Sequence, residues 1–177
     1  MEDLIIEAFE TNDSERVIDE AMGKYGQEIL QLVYSYVKNA AAAEDLTQEI
    51  FIKCYKSLHT YKRNSTFRTW LWRIAINHCK DHLKSWYHKN VVIIEDNSTK
   101  TWIQDGNVEQ NLIQKDEDQQ LATVVMELPI IYREVIYLYY FEEASIKEIA
   151  ILVETKENTI KTRLRRAKEL LKESLEG

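Results

Sequence analysis

Glycine and proline are nearly missing from this chain: its 177 residues hold four of the first and one of the second. So few turn formers disfavour a turn-rich β architecture and favour helices. Glycine is too rare for a phosphate-cradling loop, and no catalytic-triad spacing or internal repeat appears. Cysteine is scarce too. Cys54 and Cys79 show no CxxC spacing and sit among apolar residues at helical intervals, so both are expected to be buried thiols. No apolar run reaches the roughly 20 residues of a membrane helix, and the N-terminus lacks a basic-then-apolar leader pattern. The expected setting is soluble and cytoplasmic. The length allows one domain or two small ones.

What is abundant is charge, and it comes in blocks. The formal net charge is −7. Residues 1–52 hold 3 Lys+Arg against 12 Asp+Glu, and residues 53–89 hold 9 against 1. Residues 90–155 return to 4 against 13, and residues 156–177 hold 7 against 4. Two basic segments alternating with two acidic ones suggest contact with nucleic acid in two places and with something cationic elsewhere.

The most organised stretch is Ser145 to Lys172. Ile146, Ile149, Ala150 and Val153 recur at helical spacing, and so do Ile160, Leu164, Ala167 and Leu171. Ser145 and Glu148 read as a capping box for the first helix, and Thr155 is the expected N-cap of the second. Two short helices around Glu154–Thr155–Lys156, sharing one apolar seam, predict a helix-turn-helix. The second helix carries Lys161, Arg163, Arg165, Arg166 and Lys168 outside its apolar stripe. A basic second helix fits the DNA major groove. The plainer alternative is a solvated helical hairpin.

The rest of the chain is helical in pattern. Leu4, Ile5, Ile6 and Phe9 give a short amphipathic helix in residues 1–12. Ser14 is the expected cap of a second short helix, which Gly23 and Gly26 then loosen. From Tyr25 a clear helix runs through Ile29, Leu32, Val33, Tyr36 and Val37 to a break at Asn39. Another spans about 42–58, with Leu46, Ile50, Cys54 and Leu58 on its inner face. Residues 59–66 have loop composition. Residues 67–84 form a helix with two apolar stripes, leaving Arg73, Asn77, Lys80, Asp81 and Lys84 as a narrow polar strip. A basic strip with an amide, beside a basic loop and several aromatics, suits melted or single-stranded DNA. Trp70, Trp72, Trp86 and Tyr87 read equally as core or edge rings, and Trp72 is expected in the core. His78 and His82 have metal-ligand spacing with Asp81 as a possible third ligand, but no fourth stands nearby, and two surface histidines are the simpler reading. No metal or cofactor is expected.

Residues 88–117 lose all period and are acidic, as a linker would be. Helicity returns near 118, with Leu121, Val124, Val125 and Leu128 on one face. Pro129 suits the first turn of the next helix, in which Ile131, Val135, Leu138 and Tyr139 continue the apolar pattern and Arg133–Glu134 are exposed.

Three segments together resemble an extracytoplasmic-function (ECF) sigma factor, the compact two-domain group of bacterial sigma factors. AEDLTQEIFIKCY (43–55) resembles the stretch that grips RNA polymerase. STFRTWLWRIAINHCKDHLK (65–84) resembles the minus-ten recognition helix. LPIIYREVIYLYYFEEASIKEIAILVETKENTIKTRLRRAKELL (128–171) resembles the minus-thirty-five domain. The resemblance covers about Tyr25 to Leu175. It departs at Glu154 and Asn158, where the family often has glycine, and a turn needing positive φ is awkward for Glu154.

The resemblance implies an all-α chain of two small helical domains, 1–90 and 118–177, joined by a flexible acidic linker at 91–117. It implies a non-catalytic protein that lends promoter specificity to polymerase. Asp45, Gln48, Glu49 and Lys53 would bind core polymerase, with Thr47 and Ile52 beside them. Tyr61, Lys62, Arg63, Arg73, Asn77, Lys80, Asp81 and Lys84 would meet minus-ten DNA. Lys161, Thr162 and Arg165 would read minus-thirty-five base edges, while Arg163 and Arg166 hold phosphates or cover apolar surface. The implied partners are polymerase core, promoter DNA and an anti-sigma factor, often membrane-anchored in this family. Two rival readings stand beside this: a free-standing helix-turn-helix regulator with an N-terminal sensing domain, and a helical scaffold that binds only protein.

Overall fold

The structure, a computed structural model, describes residues 2–91 and 117–177. The expected linker at 91–117 lies almost wholly outside the described residues. No strand occurs among the described residues. The chain forms two compact units: Met1–Trp86 with Ile151–Glu154, and Tyr87–Ala150 with Thr155–Gly177.

The first unit contains α1 (Glu2–Glu10), α2 (Ser14–Val37), α3 (Ala40–Ser57), a short tight turn at Leu58–Thr60, and most of α4 (Phe67–Val91). Asp13, not Ser14, caps α2: its carboxylate accepts the Arg16 N–H at 3.1 Å. α2 then runs for 24 residues without interruption. Gly23 and Gly26 do not loosen it. Each glycine costs a helix about 1 kcal/mol, but Val17, Ala21, Tyr25, Ile29 and Leu32 form one buried stripe through the region. Burying each large member of that stripe is worth about 1.5–3 kcal/mol, so packing outweighs propensity. Lys38 ends α2 in the left-handed region (φ 55°). Asn39 then caps α3, its side chain accepting the Ala42 N–H at 2.9 Å. Leu46, Ile50, Cys54 and Leu58 are buried as their spacing implied. So is Trp72, whose ring meets Tyr25 edge-on at 5.5 Å. α4 continues past the expected end at 84 to Val91.

The second unit contains α5 (Glu117–Glu127), α6 (Ile130–Ile136), a widened helical turn at Tyr137–Phe141, and most of α7 (Ile146–Leu152) and α8 (Glu157–Glu176). α6 and α5 both pack on α8. The core is Val125, Leu128, Val135, Ile136, Leu138, Ile149, Ile160, Leu164 and Ala167. Three apolar residues of the helical pattern lie outside this core, and one expectation, the exposure of Arg133 and Glu134, fails. Leu121 is exposed, because the covered part of α5 is its last turn. Ile131 is exposed as well. Tyr139 is exposed because the widened turn shifts the helical phase, sending Leu138 inward and Tyr139, Tyr140 and Phe141 outward. Arg133 and Glu134 are buried at 6% and 5% exposure rather than facing water. Arg133 Nη1 donates to the carbonyls of Met126 (3.1 Å) and Leu128 (3.0 Å), at the end of α5 where helix carbonyls lack partners.

Candidate functional site

On α3 the inner face is core, so its polar residues have one direction left. Asp45, Gln48, Glu49, Ile52 and Lys53 are exposed. Thr47 is different: its hydroxyl turns back to the Ala43 carbonyl at 2.7 Å. Glu49 Oε2 lies 2.8 Å from His78 Nε2 on α4, so this carboxylate is partly committed to joining two helices. Sequence spacing drew attention to His78 as a metal-ligand candidate and gave no sign of that contact. Among the described residues, no three His, Cys, Asp or Glu side chains converge as a metal ion needs. On the inner face of α3, burial pushes the Cys54 thiol up to about 12.

The loop after α3 is held by side chains. Thr66 caps α4, its hydroxyl accepting the Thr69 N–H at 3.2 Å. Tyr61 donates from its hydroxyl to the Ser65 carbonyl at 2.8 Å. Its ring lies 5.7 Å from Phe67 and 5.4 Å from Trp70, so it is half-buried in an aromatic cluster. Lys62 and Arg63 are exposed, and Arg63 takes a positive φ of 58°. Along α4, Arg73, Asp81 and Lys84 are exposed, with Asn77 and Lys80 half-buried between them. The strip read from the sequence is therefore a real surface feature. Trp86 and Tyr87 are exposed further along the helix, and Trp70 is half-buried.

The helix-turn-helix closes as its sequence implies. The Ser145 N–H donates to Glu148 Oε2 at 2.8 Å, and the Glu148 N–H donates to Ser145 Oγ at 3.1 Å. At the other end of α7, the Thr155 N–H reaches the Ala150 carbonyl at 3.0 Å and the Glu154 N–H reaches that of Ile151 at 3.4 Å. That pair of bonds closes a helix around a left-handed residue, the place glycine usually fills. Here Glu154 fills it, at φ 54°. The residue directly before α8 is Lys156, whose side chain makes no capping bond, and Thr155, the expected cap, precedes it.

α8 buries Ile160, Leu164 and Ala167, with Leu171 half-buried. Lys161, Thr162, Arg165 and Arg166 are exposed, and Arg163 is half-buried along the seam. The basic residues are not equally available. Arg166 donates to Glu169 at 3.1 Å and lies 3.9 Å from Glu173. That bond to Glu169 raises the Arg166 pKa further above its ordinary value. Lys161 and Arg165 have no ion pair among the described residues. The Thr162 hydroxyl donates to the Asn158 carbonyl at 3.0 Å.

Comparison with known proteins agrees with these two units. Residues 22–87 match the family model for sigma-70 region 2, and residues 118–171 match that for sigma-70 region 4. The RNA polymerase sigma-H factor of Pseudomonas aeruginosa is 30% identical, over 97% of this chain and 92% of its own. The ECF RNA polymerase sigma factor SigW of Bacillus subtilis is 32% identical, over 85% of this chain and 84% of its own. Among solved structures, the sigma factor RpoE of Bartonella quintana, in complex with the anti-sigma factor NepR, superposes with a TM-score of 0.67. That match is 19% identical and covers 89% of this chain and 96% of the other, so it speaks to the fold.

Proposed function

The chain belongs to the ECF group of the sigma-70 family of RNA polymerase sigma factors, and from that premise we propose a division of labour between its two helical units. As an alternative sigma factor it directs transcription initiation. The polymerase performs the chemistry, and this chain supplies promoter recognition and melting without catalysing a reaction itself. Its place of work is the cytoplasm, where polymerase and promoter lie.

Residues 1–90 bind core polymerase and the minus-ten element. The α3 face of Asp45, Gln48, Glu49 and Lys53 meets the polymerase. Tyr61, Lys62 and Arg63 of the loop, with Arg73, Asn77, Lys80, Asp81 and Lys84 of α4, meet a strand whose bases have left the stack. Unstacking costs a few kcal/mol and is offset by phosphate and stacking contacts on the displaced strand. Residues 118–177 bind the minus-thirty-five duplex through α8. Lys161, Thr162 and Arg165 read base edges, and Arg163 and Arg166 serve phosphates. The acidic segment 91–117 links them along the RNA path of the polymerase. An anti-sigma factor, such as the partner bound to the Bartonella quintana relative, holds the chain until a stress signal releases it.

The observation that carries this reading is the exposed pair Lys161 and Arg165, without an ion pair among the described residues, on a basic helix of a chain that matches regions 2 and 4 in order. The test is transcription from a defined promoter by core polymerase with and without the chain, beside a DNA-binding control without polymerase. Arg165→Ala should lose duplex binding by about 1–3 kcal/mol, with relaxed preference at one base. Asn77→Ala should leave duplex binding nearly intact and reduce permanganate reactivity of the melted region. Equal loss of both signals in both variants would refute the division. Tight promoter binding without polymerase would favour a free-standing regulator.

A further inference from the structure

The region 2 family model begins at residue 22, which leaves α1 outside it. Yet α1 is well attached. It packs on α2, with Ile5 and Ala8 buried. Phe9, the next residue, is half-buried and turns toward the loop that follows α3. Its ring lies 5.4 Å from Tyr61 and 5.8 Å, nearly edge-on, from Phe67. The Arg63 guanidinium stands 5.8 Å from the Phe9 ring centre. A cavity of about 190 Å³ opens at this junction. α1 supplies Ile5, Ile6 and Phe9 to its wall, and the loop faces them with Tyr61, Arg63 and Thr66.

Residues 61–66 lie outside regular structure, so side chains must fix the loop. Tyr61 is the hub. It touches Phe67 and Trp70 from α4, bonds Ser65 within the loop, and meets Phe9 from the far side. Of these partners only Phe9 belongs to neither the loop nor α4. A loop that must receive a strand gains by being ordered beforehand, because ordering it later subtracts from binding. We propose that α1 is a positioning element for the minus-ten loop, with Phe9 holding Tyr61 and Arg63 in the attitude that receives the unstacked strand. This rests on the assignment of that loop to minus-ten DNA. Phe9 itself does not touch the strand; it acts through Tyr61 and Arg63.

The test uses holoenzyme assembled with full-chain variants on one promoter, reading core affinity, duplex binding and the rate of opening by permanganate. Ring pairs of this geometry are each worth a factor of about 2 to 10. Phe9→Ala should therefore slow opening about five- to tenfold, with core affinity and duplex binding within about twofold of the parent. In a Tyr61→Ala background the same substitution should add less than about twofold, because the residue it acts through is already gone. If Phe9→Ala also lowers core affinity, Phe9→Leu replaces it, keeping aliphatic bulk on α1 while removing the ring. Multiplicative effects of Phe9 and Tyr61 would overturn the proposal, as would parental opening rates in Phe9→Ala while Asn77→Ala opens slowly. Parental rates in Tyr61→Ala, Arg63→Ala and Asn77→Ala alike would instead refute the minus-ten assignment, and the proposal with it.

Discussion

Arg133 tests how the second unit is held together. Its guanidinium is buried and donates from one nitrogen to the carbonyls of Met126 and Leu128. Those carbonyls sit at the C-terminal end of α5, where a cation is also favoured by the helix dipole. Arg133→Met keeps the aliphatic stem and much of the volume, so the packing change is small. Among what it removes are two charge-assisted hydrogen bonds, leaving two carbonyls without that partner. A hydrogen bond to a charged group is worth about 1.5–3 kcal/mol, and the two share one donor atom, so the expected loss is about 3 kcal/mol rather than the full double. A unit of some 60 residues has a stability of roughly 3–9 kcal/mol, so the loss is a large share of it. The assay is amide hydrogen exchange on the full chain, which resolves each unit separately. Protection at the centre of α6 and of α8 should fall about 100-fold, the equivalent of that free energy. Protection at the centre of α2 should not change. Duplex promoter binding by the holoenzyme should weaken in step, since α6 is part of the platform under α8. Protection in α6 and α8 within about threefold of the parent would show that the buried guanidinium is not a support for this unit.

Three further outcomes are expected. Gln48→Ala with Glu49→Ala should weaken core polymerase binding at unchanged helicity; a titration matching the parent, or an equal loss in His78→Ala, would remove this face from the interface. Glu154→Gly should stabilise the helix-turn-helix by about 0.5–1 kcal/mol, the left-handed strain relieved less the added unfolded-state entropy of glycine, and a lowered melting temperature would contradict the strained turn. Cys54 should resist thiol reagents in the folded chain. Because its folded pKa is raised from 9.0 to about 12, its contribution to stability is present below pH 9 and is lost progressively as pH rises toward 12; labelling of native Cys54 at neutral pH would contradict its burial.

Features that depend on near neighbours were legible in the chain alone. The capping box at Ser145 and Glu148, the inner stripes of α3 and α8, the break at Asn39 and the polar strip of α4 all follow from spacings of a few residues. Helical period and end-group hydrogen bonding act over that distance. The awkward left-handed position at Glu154 was legible for the same reason. Both basic helices, α4 and α8, were therefore readable, down to most of their charged residues. Only the tertiary structure decided the partners. It paired Arg166 with Glu169, while Lys161 and Arg165 have no ion pair among the described residues. It drew Glu49 onto His78, 29 positions away. It buried Arg133, a residue whose charge alone predicts exposure, because the end of another helix supplies its acceptors. It also brought Phe9 against Tyr61, joining a terminal helix to a loop that no local pattern connects with it. Periodicity states which face of a helix is apolar, but not which distant side chain will cover it; that is settled when helices pack and most buried donors and acceptors find complementary partners.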